Sequence, residues 1–339
     1  MDWRYVYRDF QNLTEAEQHR LFEAIKDELF PSPKTDIGNL IGDIRENRFS
    51  SGLGCLHCGS TSVKRNGKYR SRQRYKCKDC GKTFNDITGS PLAGTRYPRK
   101  WMRFFELMVE GLSLSKIAKI LNIHVSTSFY WRHKILKAIA SLGNLQLQGI
   151  VESDETYFLE SYKGKRSGIP HRKSRKRGGS ANKRGISNEQ VCVVVAHDRD
   201  GHIICQYGGR GRITATEIDS VIGSYIHPTS VLCSDSATNY ANFAKLKGLQ
   251  HEAVNGRKGI YVKKGIYHIQ HVNSYHQRLK RWMDRFKGVA TKYIDNYMFW
   301  FRFLELHKKL ETHDKHKFLL LNACKRVNFL TVKNLRRIV

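Results

Sequence analysis

Apolar residues recur every three or four positions in some parts of the chain and alternate or run together in others, which divides it into helical and strand-bearing stretches. Thr14 with Glu17 three places on is a capping-box signature, and Leu21, Phe22, Ile25, Leu29 and Phe30 follow at helical spacing. That helix either docks or oligomerises through its apolar face or simply packs in the fold. Helical spacing returns at Pro98, where Trp101, Phe104, Phe105 and Met108 mark one face and Gly111 closes the helix. A second, short helix opens near Ser113 and carries Ile117, Ala118 and Leu121. After the turn Asn122-Ile123-His124, a third helix, capped by Ser126 or Thr127, runs through Ile135 and Leu136. Helices of this size and spacing predict a helix-turn-helix, with Ser128, Tyr130 and Arg132 of the third helix able to reach DNA. A small helical packing unit is the alternative.

Around Gly149 the period changes. GIVESDETYF, VCVVVAH, HIICQYG and SVLCSDS are short strand-like runs bounded by turn residues, with Asp200-Gly201 joining the second and third as a hairpin. The helix-like TATEIDSVIGSYI lies between the third and fourth, and a long helix followed by a second covers HIQHVNSYHQRLKRWMDRFKGVATKYIDNYMFWFRF. Strands, helix, strand and further helices predict a mixed α/β unit of catalytic size.

Charge adds the class of partner. The 339 residues carry 60 Lys+Arg against 30 Asp+Glu, a formal net charge of +30. An excess of that size self-repels unless it meets a polyanion, and so predicts nucleic-acid binding. A hydrophobic fraction of 40% argues against wholesale disorder. Residues 1–48 are the exception in charge, at −3, which leaves +33 on the rest. Residues 162–188 hold ten Lys+Arg and no acid, among them Arg172, Lys173, Arg175, Lys176 and Arg177, and predict a basic loop that orders on DNA. No run reaches the ~18 apolar residues of a spanning helix, and no apolar signal core opens the chain, so a soluble, intracellular protein is expected.

Four of the eight cysteines form two CxxC pairs, Cys55 with Cys58 and Cys77 with Cys80, 18 residues apart. Two-residue spacing lets both thiolates of a pair reach one tetrahedral ion, and four sulfurs leave no open position, so the site predicts structural zinc. Asn66-Gly67 between the pairs is a two-residue hairpin signal, which makes the segment a zinc ribbon. Lys64, Arg65, Lys68, Arg70, Arg72, Arg74 and Lys76 stand there without a compensating acid and are read as phosphate contacts rather than a merely solvated hairpin. Cys192, Cys205, Cys233 and Cys324 sit singly in apolar contexts, as packed thiols.

Asp154 lies within the first predicted strand of the α/β unit and Asp235 ends the fourth. Buried carboxylates are costly unless they meet a cation, and two at strand ends of one sheet suit a hard divalent ion. Either could instead be a turn or cap residue, Asp235 especially, since Ser236 follows it. Asn273 and Lys280 are seven apart, two helical turns, and share a face. There an amide oxygen could complete a metal's shell while the ammonium meets a phosphate. His276 shares the face and is a rival third ligand.

The CxxC pairs, the helix-turn-helix with WRHKIL, and the motifs VESDETYF, LCSDSATNY, HVNSYHQRLKRWM and GVATKYIDNYMFWFRF, in that order from about Cys55 to Phe303, resemble the insertion-sequence 1595 family of DDE-superfamily transposases. The resemblance implies an α/β, RNase H-like catalytic domain preceded by a zinc ribbon and a helix-turn-helix. It implies Asp154, Asp235, Asn273 and Lys280 as catalytic positions, with Asn in place of the superfamily's third Glu. It further implies two Mg²⁺ (or Mn²⁺) per site held by Asp154, Asp235 and Asn273, and in-line phosphoryl transfer that frees 3′-hydroxyl ends of an element and joins them to target DNA. Double-stranded DNA, both element ends and target, is the implied partner, bound by a homo-oligomer in a bacterial, nucleoid-associated setting. The implied division is a helical segment 1–48, a zinc ribbon 50–95, a helix-turn-helix 96–145, a catalytic domain 146–310 and a basic tail 311–339. Rival readings are a DNA-binding regulator without chemistry and an RNase H-like nuclease that does not join DNA.

Overall fold

The computed structural model describes residues 2–29, 37–69, 72–95, 97–140, 142, 146–165, 169 and 179–337. Arg70, Arg172, Lys173, Arg175, Lys176 and Arg177 lie outside them. Three helices open the chain: α1 (Trp3–Gln11), α2 (Glu15–Leu29) and α3 (Ile37–Arg48). Half of the capping box forms: the Thr14 N–H donates to the Glu17 carboxylate, while the Thr14 hydroxyl also donates there and the Glu17 N–H bonds the Thr14 carbonyl instead.

Strands β1 (Val63–Tyr69), β2 (Arg72–Cys77) and β3 (Thr83–Phe84) make a small antiparallel sheet. Its reversal is not at Asn66-Gly67. Those residues interrupt β1 as a bulge, and Tyr69 pairs with Arg72 beyond them. Gly67, at φ +67°, supplies the left-handed backbone that such a bulge needs, a local chemistry shared with hairpin turns.

Helices α4 (Trp101–Val109), α5 (Leu114–Ile120) and α6 (Val125–Ala138) form where the apolar spacing predicts. His124 caps α6, rather than Ser126 or Thr127: its Nδ1 accepts the Ser126 N–H at 3.2 Å. The expectation that Ser128 and Arg132 reach DNA is not met. Both are fully buried, and the Arg132 guanidinium lies over Trp300 at 4.8 Å and donates to the Leu112 carbonyl at 2.6 Å. The face of α6 that carries them is covered by helices from the far end of the chain, which the local pattern of α6 does not reveal. Tyr130 is half-buried. Arg132→Ala is expected to cost about 3 kcal/mol in urea unfolding, because it opens a cavity and strands the Leu112 carbonyl. Arg132→Met, which refills the space without a buried charge, is expected to cost far less.

The α/β unit holds β4 (Ile150–Leu159), β5 (Gln190–Asp198), β6 (Ile203–Arg210), α7 (Ala215–Ile218), β7 (Val231–Asp235), α8 (Thr238–Lys247) and β8 (Gln250–Val254). β8 is a fifth strand that the sequence pattern did not signal. The sheet order is β6-β5-β4-β7-β8, with β4, β5 and β6 antiparallel and β7 and β8 parallel to β4. A three-strand meander continued by two parallel strands on its first strand's other edge is the RNase H-like arrangement. Asp200-Gly201 makes the expected turn between β5 and β6, with Gly201 at φ +93°. The basic insertion leaves and re-enters at one place, since the Glu160 N–H donates to the Glu189 carbonyl at 2.9 Å.

α9 (Gln270–Met283), α10 (Ile294–Leu306), α11 (Thr312–Lys325) and α12 (Val332–Arg337) complete the chain. Side chains alternate across β5: Val191, Val193 and Val195 enter a large core with α9 and α10, while Cys192, Val194 and Ala196 face α7 and α8. The large core also takes in α3 through Leu40 and Ile44, and α4 to α6. Residues 311–339 are therefore not a tail. Leu319, Leu320, Ala323 and Cys324 of α11 are fully buried, with α11 packed against α3 and α4. Their spacing is that of a helix face, masked by the flanking lysines. Among the described residues no helix is long and apolar enough to cross a membrane.

Candidate active site

Central strand β4 pairs with β7 in parallel register, Glu152 opposite Cys233, so two residues on Asp154 comes level with Asp235. Asp235 also accepts the Ala237 N–H at 3.0 Å. It thus does what a cap residue does and stands in the carboxylate cluster as well. Next to Asp154 on β4, and within electrostatic reach of Asp235, is Glu155, whose carboxylate accepts the Asn239 amide at 2.7 Å. Burial, then Glu155 and Asp235, push the Asp154 carboxyl up to about 7. Burial raises Glu155 as well, with the Asp235 charge adding to it. Three carboxylates that repel one another on a half-buried sheet end, with no Lys or Arg ion-paired to any of them among the described residues, suit a divalent cation.

Across the cluster lies α9. His276 is buried on its inner face, Nδ1 3.8 Å from the Asp154 carboxylate, and its Nε2 is buried without a partner. Burial and the nearby Lys280 charge hold this imidazole down to about 3, so it is neutral and can donate a lone pair. Asn273 is exposed, and its side chain makes no hydrogen bond among the described residues. Lys280 is exposed on the same helix, within electrostatic reach of His276. The structure therefore sets His276 against Asp154, which is level with Asp235 on the neighbouring strand, while Asn273 and Lys280 lie exposed on the same helix.

The start of α9 is held by Glu152. This fully buried carboxylate accepts the His271 and Val272 N–H groups at 2.9 and 3.2 Å, satisfying first-turn donors that the helix cannot bond itself. Arg199 at 2.9 Å and His271 Nδ1 at 2.6 Å close on its other oxygen. Sequence reasoning missed Glu152, Glu155 and Arg199. The available signal was the density of acids in VESDET, three in a strand otherwise built to be buried.

In the small ribbon, Cys55 Sγ lies 3.7 Å from Cys80 Sγ and Cys58 Sγ 3.6 Å from Cys77 Sγ, and all four sulfurs fall within 4.8 Å of one another. Zinc–sulfur bonds of about 2.3 Å in a tetrahedron give edges near 3.8 Å, so the cluster fits a zinc ribbon. On this ribbon Lys64, Arg65 and Lys68 are exposed along β1, and Arg72 and Arg74 are half-buried on β2.

Residues 146–305 match the profile of the ISXO2-like transposase domain. That stretch, just under half of the chain, is similar to the transposase domain of the insertion-sequence 1595 family. Over 266 residues the chain is 27% identical to a protein described as uncharacterised in transposable element ISH50 of Halobacterium salinarum, covering 77% of this chain and 86% of that protein. Among solved structures it is matched to a pre-cleavage Mos1 transpososome at 10% identity and a TM-score of 0.19, over 67% of this chain and 79% of that one. It is also matched to the mariner Mos1 paired-end complex with Mg, at 12% identity and a TM-score of 0.21, over 65% and 79%. The strand order β6-β5-β4-β7-β8 is RNase H-like in itself. The similarity over residues 146–305 supports a nucleotidyl transferase of the DDE kind.

Proposed function

We propose that this chain is a transposase that binds the terminal inverted repeats of an insertion sequence, cleaves to give 3′-hydroxyl ends and joins them to target DNA. The observation that carries the reading is the meeting of Asp154 and Asp235, distant in sequence, on adjacent strands opposite His276. Asp154, Asp235 and His276 would hold two Mg²⁺ or Mn²⁺ ions, with Asn273 as the rival third ligand. Bound there, the ions supply Lewis-acid activation of the attacking oxygen and stabilise the leaving oxygen. Glu155, fixed by Asn239, keeps the cluster negative. Lys280 meets the phosphate charge at the cluster's mouth, and Glu152 sets the position of α9 and so of His276 and Lys280.

DNA recognition falls to other parts. Lys64, Arg65 and Lys68 of the ribbon contact phosphate, as does the basic insertion. On the helix-turn-helix, the surface open to a groove is the start of α6, at His124, Val125 and Ser126, with Lys116 and Lys119 of α5 beside it. Two ends must be held at once, so a homo-oligomer forms on DNA.

The test is cleavage and joining of a labelled element-end duplex with Mg²⁺. Wild type is expected to give cleaved and joined products, and Asp235→Asn neither. His276→Ala is expected to lose about 100-fold in rate and Asn273→Ala only a few-fold, at equal DNA occupancy. The reverse order would make Asn273 the ligand. Wild type that binds the ends and yields no products would sink the enzymatic reading.

A further inference from the structure

The 15-residue segment from β8 to α9, residues 255–269, begins beside one half of the carboxylate cluster and returns beside the other. Val254, the last residue of β8, pairs with Asp235. At the far end His268 and His271 lie against Glu152, two residues from Asp154 on β4. The segment is built rather than loose. Asn255 and Ile260 exchange backbone hydrogen bonds at 3.0 Å in both directions, and Lys263 and Tyr267 do the same at 2.8 and 2.9 Å. Lys263 and Lys264 pin its second half to the buried Glu252, at 2.6 and 2.8 Å.

What it presents outward is unusual for a free surface. Tyr261 is 65% exposed, with Ile260 and Val262 exposed on either side and Ile266 on the next turn. The ring lies over Gly256, where a side chain would meet it at 3.3 Å, so the glycine leaves it room. Arg257 and Lys258 stand exposed on the same turn and have no ion pair among the described residues. An aromatic ring beside uncompensated cations is the pairing that holds a nucleic-acid strand, by stacking on a base and by neutralising the backbone. Asp154 is only 21% exposed, so a phosphodiester that reaches it leaves the open surface.

We infer that residues 255–268 form a strand-binding site in which Tyr261 stacks on an unpaired nucleobase beside the reacting phosphodiester while Arg257 and Lys258 hold its flanking phosphates. The inference rests on the transposase reading and names the part of the substrate that this edge of the site takes. Unstacking a base costs free energy, and the tyrosine face returns it.

The experiment is a fluorescence-anisotropy titration of the full chain in magnesium-free buffer. Two labelled probes are used, a fully paired duplex and the same duplex with a short unpaired bubble. Wild type is expected to favour the bubble about tenfold. Tyr261→Ala should bring the two probes together while leaving duplex affinity and melting temperature as in wild type, and Tyr261→Phe should keep the preference. Replacing Arg257 and Lys258 together by Ala should weaken both probes alike and flatten the salt dependence by about two phosphates' worth of slope. A bubble preference that survives Tyr261→Ala, or that Tyr261→Phe abolishes, overturns the proposal, as does a wild type with no preference. Wild type that binds neither probe overturns the DNA reading itself. Loss of cleavage with the preference intact counts against the proposed chemistry alone.

Discussion

Asp154→Asn is expected to abolish strand cleavage and, in the same protein, to raise the melting temperature of the metal-free chain. Loss of one carboxylate from the cluster should reduce the rate by ~10³-fold or more. The gain in stability has the same origin. Burial and the charges of Glu155 and Asp235 raise the Asp154 carboxyl to about 7, above the ~4 of an unfolded chain. A group whose folded value is raised binds its proton more tightly when folded. It therefore contributes stability that is fully present below about pH 4 and is lost as pH climbs through 7, up to ~4 kcal/mol in all. The wild type, free of divalent ions, should lose melting temperature between pH 5 and pH 8 at about 2 °C per kcal/mol. Asp154→Asn should flatten that slope, and Mg²⁺ or Mn²⁺ should restore the wild type's stability at pH 8 without affecting the variant. Parallel slopes in the two proteins would show that Asp154 is not the strained group.

Cys77→Ser is expected to empty the ribbon of zinc and unfold it. The ribbon's buried core is Cys55, Tyr75, Cys77 and Phe84, so half of it is metal ligand. Without the ion, Tyr75 and Phe84 and the partly buried Phe49, Leu53, Leu56 and Val63 remain, a small core for three short strands. Structural zinc supplies on the order of 10 kcal/mol in such units. Bound zinc should fall from one per chain to none, and proteolysis should open residues 50–85 while the main transition of the sheet persists. Retention of zinc by Cys77→Ser would remove the four-cysteine assignment.

Local pattern carried much of this molecule. The CxxC spacing needs no knowledge of the fold, because two thiolates on one knuckle already define half a tetrahedron. Helices α4 to α6 and strands β4 to β7 follow from period and punctuation. Asp154 and Asp235 stand out because a carboxylate in an apolar strand is costly wherever the strand goes. β8 was not legible, since QHEAV is short and half polar, and becomes a strand only by pairing with β7. The bulge at Gly67 was misread as a turn because the same left-handed glycine serves both.

The sequence by itself determined the classes of chemistry: a four-sulfur metal site, a polyanion partner, a carboxylate pair on a sheet. These depend on residue type, charge and short spacing, which act over a few residues. Tertiary structure decided which side chains share a place. Asn273 and His276 occupy one helix only three residues apart, and the packing of α9 on β4, fixed by Glu152, turns His276 inward and leaves Asn273 in solvent. Ser128 and Arg132 look open to DNA until α10 covers them, and α11 reads as a basic tail until α3 and α4 bury its apolar face. Such choices are made by burial of area between segments far apart in the chain, a term that no local window contains.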